Sequence, residues 1–138
     1  MGILSRLDTW PEALAGVVEA ARRAPFAWGE HDCCLWAADC VAAMTGRDFA
    51  AGFRGAYSDA AGAVEILANW GSLRALAAHC LGEEIAPRLA MRGDVVLAET
   101  DGRPSLGICL GESAAFTGAD GLEFIDLGDP ACLAAWRV

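Results

Sequence analysis

The stretch Phe26-Ala27-Trp28-Gly29-Glu30-His31-Asp32-Cys33-Cys34 decides how this chain is read. An aspartate that can cap a helix is followed at once by a cysteine, at the head of an apolar run. With Asp32 as N-cap, Cys33 takes the first helical position, where unpaired backbone N–H groups and the helix dipole favour negative charge. Such surroundings lower a thiol's pKa and raise its thiolate fraction, which makes Cys33 a candidate nucleophile. The Asp32 carboxylate opposes this, because a second negative charge beside it is disfavoured. Cys34 points about 100° around the helix and reads as core. Cys40, two turns deeper on roughly the face of Cys33, reads the same way.

Outward from this motif, the N-terminal half has helical spacing. Asp8 or Thr9 can cap a helix that opens at Trp10-Pro11-Glu12, where proline is tolerated in the first turn. Leu14, Val17, Val18 and Ala21 recur at helical intervals to about Arg23, and Pro25 stops the helix. The cysteine helix starts at Asp32 or just after it and runs to about Thr45, ended by Gly46. A third helix begins after Ser58-Asp59 and carries Ala63, Ile66, Leu67 and Trp70. A fourth runs from Ser72 to about Leu81 and ends at Gly82. The second half reads as strands: 93–98, a turn at 101–104, then 106–110 and 113–117, a turn at 118–121, and 122–127. A short helical end over Pro130 to Trp136 closes the sheet. Helices first and an antiparallel meander second predict an α+β fold in a single domain spanning residues 1–138.

The 138 residues suffice for one domain with one core. The chain is 55% hydrophobic, with mean hydropathy +0.34 and formal net charge −9. It has no lysine, and arginines carry all of its fixed positive charge. An acidic chain of this kind cannot displace counterions along a phosphate backbone, so nucleic acid is not an expected partner. No window approaches the roughly 20 apolar residues of a membrane span, so no membrane insertion is expected. Met1 to Arg6 lack a signal-peptide core, and secretory export is not expected. The apolar excess has two readings: surface buried against partner subunits, or an alanine-rich composition that inflates the count. Cys33, Cys34, Cys40, Cys80, Cys109 and Cys132 form no CxxC pair and no zinc-ligand spacing, so neither a metal, a cofactor nor a disulfide framework is predicted.

The "DC" step at a helix N-terminus, the following helices, the Gly93-Asp94-Val95-Val96 opening of a sheet and the Leu106-Gly107-Ile108-Cys109-Leu110-Gly111 step together resemble the NlpC-type, papain-like cell-wall cysteine peptidases. Phe26 to Cys33, Gly52-Phe53-Arg54-Gly55, Arg92 to Val96 and the closing Ala135-Trp136-Arg137-Val138 resemble more closely a family of small phage and prophage proteins. These are encoded among tail genes and related to the same fold. The resemblance covers nearly the whole chain. It implies a papain-like α+β domain with Cys33 at the nucleophile position.

A papain-type nucleophile needs a histidine within hydrogen-bond reach and a third polar group to orient it. The resemblance places that histidine at the start of the second strand, where this chain has Ser105. A serine hydroxyl cannot accept and return a proton near neutral pH as imidazole can. The strand that would supply the third group offers only Thr117. His31 lies two residues before Cys33 and would have to fold back over the helix mouth to act as a base; otherwise it caps or packs on Trp28. His79, on the fourth helix, reads as a surface or core-edge residue.

Other positions carry paired readings. Trp28, Trp36, Trp70 and Trp136 either line a groove for a glycan or peptide or fill the core. Asp94 turns the chain into its strand. Arg54 ties down a loop or meets an acidic partner, Asp39 pairs with an arginine or is solvated, and Glu83-Glu84 is a solvated turn. The expectation is a structural component of a phage or phage-derived tail, at the tail tip or baseplate, on a cysteine-peptidase fold that has lost its base. It would be assembled in the bacterial cytoplasm, would reside in the virion tail, and would have hub and distal-tail proteins as partners. The competing expectation is a tail-associated endopeptidase acting on peptidoglycan through Cys33, with His31 or a partner's residue as base.

Overall fold

Side-chain caps punctuate the N-terminal half of the chain in a computed structural model that describes residues 5–138. Met1 to Leu4, part of the segment read above for a signal peptide, lie outside the described residues. Helix α1 (Trp10–Ala21) has Thr9 at its N-cap and Pro11 in its first turn. Helix α2 (Cys33–Thr45) begins where the Asp32 carboxylate accepts a hydrogen bond from the Leu35 amide, and it ends at Gly46 in the left-handed conformation. Asp59 caps α3 (Ala60–Ala68) by accepting from the Gly62 amide, and Ser72 caps α4 (Leu73–Leu81) by accepting from the Ala75 amide. Each of the last three starts with a short polar side chain satisfying an orphan N–H, which is why these boundaries are legible locally.

Five strands follow: β1 (Val95–Thr100), β2 (Arg103–Cys109), β3 (Ser113–Gly118), β4 (Gly121–Asp126) and β5 (Cys132–Trp136). They form one antiparallel sheet in the order β4-β3-β2-β1-β5. The domain is α+β, helices first and sheet second, as its sequence predicts. A short 3-10 turn at Pro87–Leu89, which the sequence reading did not anticipate, lies between α4 and the sheet.

The segment expected as a closing helix, Pro130 to Trp136, is instead strand β5. Leu133-Ala134-Ala135-Trp136 has good helix propensity, but the open edge of β1 offers it a ladder. Val95 pairs with Trp136 and Val96 with Ala135. On its other side, Ala135 exchanges backbone hydrogen bonds with Ile85 at 2.7 and 3.0 Å. The burial alternates as a strand requires. Ala134 and Trp136 join the core beneath the helices, while Ala135 faces the opposite side of the sheet.

The main core lies between the helices and one sheet face, built from Leu14, Trp36, Val41, Met44, Leu97, Ile108 and Trp136 among others. A second cluster (Val96, Ala98, Cys109, Ala114, Phe116 and Ala135) fills the other face, covered by Ile85, Ala90 and Leu127. Burial on both faces explains why Val95-Val96-Leu97-Ala98 is continuously apolar rather than alternating. It also explains Gly107. A Cβ there would sit 2.3 Å from the Ala115 carbonyl oxygen and 2.6 Å from the Phe116 ring, so only glycine lets β3 and its aromatic side chain close on β2.

Candidate functional site

The mouth of α2 opens onto a groove of about 500 Å³. The cysteine step and the Phe26–Trp28 segment lie at one end, and the inner side of α3 forms one wall. The turns Thr100–Ser105 and Thr117–Ala119, at the ends of the strands, form the other. The lining is mostly apolar and aromatic, with Phe26, Trp28, Phe53, Ile66, Leu67 and Leu76 among its residues. The volume falls within the range of ordinary ligand sites, roughly 300–1,000 Å³.

Asp32 organises the groove floor. Its side chain is buried and holds three donors: the Leu35 amide at 2.9 Å, the Gly29 amide at 3.0 Å and the Tyr57 hydroxyl. A carboxylate so engaged is a structural acceptor, and it fixes both the start of α2 and the loop before it. Tyr57 is held protonated as a donor. Burial, then its hydrogen bond to Asp32 and that residue's charge, push its pKa well above the ordinary phenol value.

Cys33 lies beside Asp32, half-buried. It lines the groove together with Ser105. Ser105 in turn shares a 2.6 Å hydrogen bond with the Thr100 hydroxyl. The structure thus brings Cys33 and Ser105 together. Of the two opposing effects read at the helix mouth, the lowering one does not prevail. Burial raises the Cys33 pKa, the Asp32 charge adds to the rise, and the hydrogen bonds from Leu106, Ser105 and Cys34 oppose it without prevailing. The solvation the thiolate loses between the groove walls outweighs what the positive end of the helix returns. Burial also pushes up the Cys34 and Cys40 thiols. All six cysteines are free thiols.

Neither histidine lines the groove. His31 bridges back to Ala27, its amide donating to the Ala27 carbonyl at 2.7 Å, and its Nε2 is buried with no hydrogen-bond partner among the described residues. His79 is exposed on α4 and stacks on Trp70, ring centres 4.5 Å apart. Thr117 does line the groove, with its hydroxyl buried and unpartnered among the described residues. No group of three or more His, Cys, Asp or Glu side chains is placed to hold a metal ion among the described residues.

The tryptophans divide between their two readings. Trp36 and Trp136 are fully buried in the core. Trp28 lines the groove, edge-on to Phe26 at 4.7 Å, with the Arg103 guanidinium 5.4 Å over its ring. Arg54 ties down its loop by ion pairs to Asp39 at 2.7 Å and Asp48 at 2.8 Å. Glu84, read as solvated, is paired with Arg74 through two hydrogen bonds of 2.6 and 2.8 Å. Asp94 turns the chain into β1 as expected, accepting from the Met91 amide at 2.9 Å.

Tyr57 is the residue the sequence reading missed. It is the chain's only tyrosine, which was the one available signal. Its contact with Asp32 spans 25 positions, so no local pattern announces it.

These features define a class: a small α+β domain with a thiol and a hydroxyl at the floor of an apolar groove, and no imidazole beside them. The chain belongs to the family described as Domain of unknown function (DUF6950), which matches residues 5–138. No curated protein matches it. No helix among the described residues is long and apolar enough to cross a membrane.

Proposed function

We propose that this protein is a non-hydrolytic structural component of a phage or phage-derived tail, at the tail tip or baseplate. On this reading it is built on an NlpC-like cysteine-peptidase scaffold, and its groove holds a segment of a neighbouring tail protein such as the hub or distal-tail subunit. The observation that carries the non-hydrolytic part is the neighbourhood of Cys33. Cys33 shares the groove with Ser105, no imidazole lines the groove, and burial raises the thiol's pKa. Without a general base, acyl transfer loses a factor of about 10²–10⁴. The sequence resemblance to proteins encoded among tail genes supports the tail assignment, and a half-enclosed apolar groove suits retention of a chain.

Two measurements test the reading. Mass spectrometry of purified virions is expected to find the protein in stoichiometric amounts, cross-linked to hub or distal-tail subunits. The purified protein is expected to leave peptidoglycan intact, alone or with those partners. Turnover of peptidoglycan that disappears in Cys33→Ala would replace this reading with the endopeptidase one, in which the groove binds a stem peptide and a partner supplies the base.

A further inference from the structure

The groove wall made by α3 differs from the rest of the fold. None of its nine residues is fully buried, and Val64 is 65% exposed. Only Leu67 packs against the main core, while Ala63 and Ile66 face the groove. The helix follows the polar step Ser58-Asp59 and is followed by Gly71, whose φ of +92° marks a sharp change of direction. The segment just before α3 is tightly anchored. The Gly55 amide donates to the Gly29 carbonyl at 3.2 Å, and a Cβ on Gly29 would lie 1.9 Å from the Tyr57 carbonyl oxygen.

Tyr57 joins the loose part to the firm part. Its hydroxyl donates to Asp32, the cap beside Cys33. The first turn of α3 rests on its stem, because a Cβ on Gly62 would lie 2.8 Å from the Tyr57 Cβ. A helix with little buried surface opens at lower free energy than the core it covers, so whatever fastens its first turn sets how often the groove is open.

We propose that α3 is a lid over Cys33 and that Tyr57, through its hydroxyl on Asp32, is the latch that holds the lid down. The lid swings at the Asn69–Gly71 corner and carries Tyr57 off Asp32 as it rises, and a segment entering the groove must lift it. This device goes beyond the tail reading and operates whether the groove retains a chain or cuts one.

The test compares the full chain with Tyr57→Phe. Alkylation of each cysteine by a bulky maleimide and by small iodoacetamide is followed by mass spectrometry between about pH 7 and 10, alongside amide exchange. Loss of a hydrogen bond to a charged acceptor is expected to raise the limiting maleimide rate at Cys33 about tenfold. The iodoacetamide rate should change far less, and exchange should quicken in 60–68 but not in α2 or β1. An unchanged maleimide rate overturns the proposal. So does equal acceleration at Cys33 and at buried Cys40 and Cys109, which reports loosening of the whole fold. If Tyr57→Phe does not fold, Asp59→Ala frays the first turn of α3 and leaves the partners of Asp32 in place. The same rise confined to Cys33 is expected there, and its absence overturns the lid.

Discussion

Cys33 is where two opposing effects meet, and burial wins over the helix mouth. The folded thiol therefore ionises at higher pH than an ordinary cysteine, whose pKa is about 8.5. Its alkylation rate is expected to climb steadily with pH past about 9, where a typical exposed thiol has begun to level off. A plateau near neutral pH in a rate profile read by mass spectrometry would contradict this. The sign for stability follows: the contribution of the protonated thiol is intact below about pH 8.5 and is lost as the pH rises, because the unfolded chain then ionises first. Asp32 supports the same site from beneath. Asp32→Ala removes the α2 cap and strands the Tyr57 hydroxyl and the Gly29 amide. The expected loss is about 3 kcal/mol, roughly 1 from the cap and 2 from the unsatisfied donors, measured by urea unfolding.

Among the elements, α2 is fastened on its outer side by the loop that Arg54 closes. The hydrogen bond from Arg54, with the Ala50 amide, holds the Asp48 carboxyl below its ordinary pKa. A depressed carboxylate contributes stability above its unfolded pKa of about 3.9, and that contribution is lost as the pH falls through its folded value. Both partners are about a third exposed, 33% and 32%, so solvent and salt screening keep the contribution under about 1 kcal/mol. Unfolding free energies of wild type and Arg54→Ala, measured from about pH 6 to pH 2, are expected to converge at the acid end and to differ less in high salt. The elements also show what local sequence carries. The starts of α2, α3 and α4 were legible because Asp32, Asp59 and Ser72 each satisfy an orphan amide within three residues. Strand β5 was not, because its ladder partners lie in β1 on one side and at Ile85 on the other, and no short window contains either partner.

Over the whole molecule, Asp94 closes the fold. Its buried carboxylate accepts from Arg6 at 3.2 Å, from the Val138 amide at 3.0 Å and from the Met91 amide at 2.9 Å. Arg6 also lies 4.2 Å over the Trp10 ring and donates to the Val138 carbonyl at 2.8 Å. One side chain thus joins residues 6, 91 and 138. Asp94→Ala leaves a partly buried guanidinium and two amides without their acceptor. A loss of about 3 kcal/mol is expected from the urea midpoint, with Asp94→Asn losing less. What the sequence by itself determined is the α+β order and the helix mouth at Cys33. Caps, glycine stops and apolar runs are local signals, and the order of motifs along the chain carried the rest. What only the tertiary structure decided is the raised pKa of Cys33, its juxtaposition with Ser105, the groove enclosed by α3, the strand at 132–136 and the Tyr57–Asp32 contact. Each depends on the solvent or hydrogen-bond partners that distant segments remove or supply, and neither burial nor a partner 25 or more positions away is written in a local pattern.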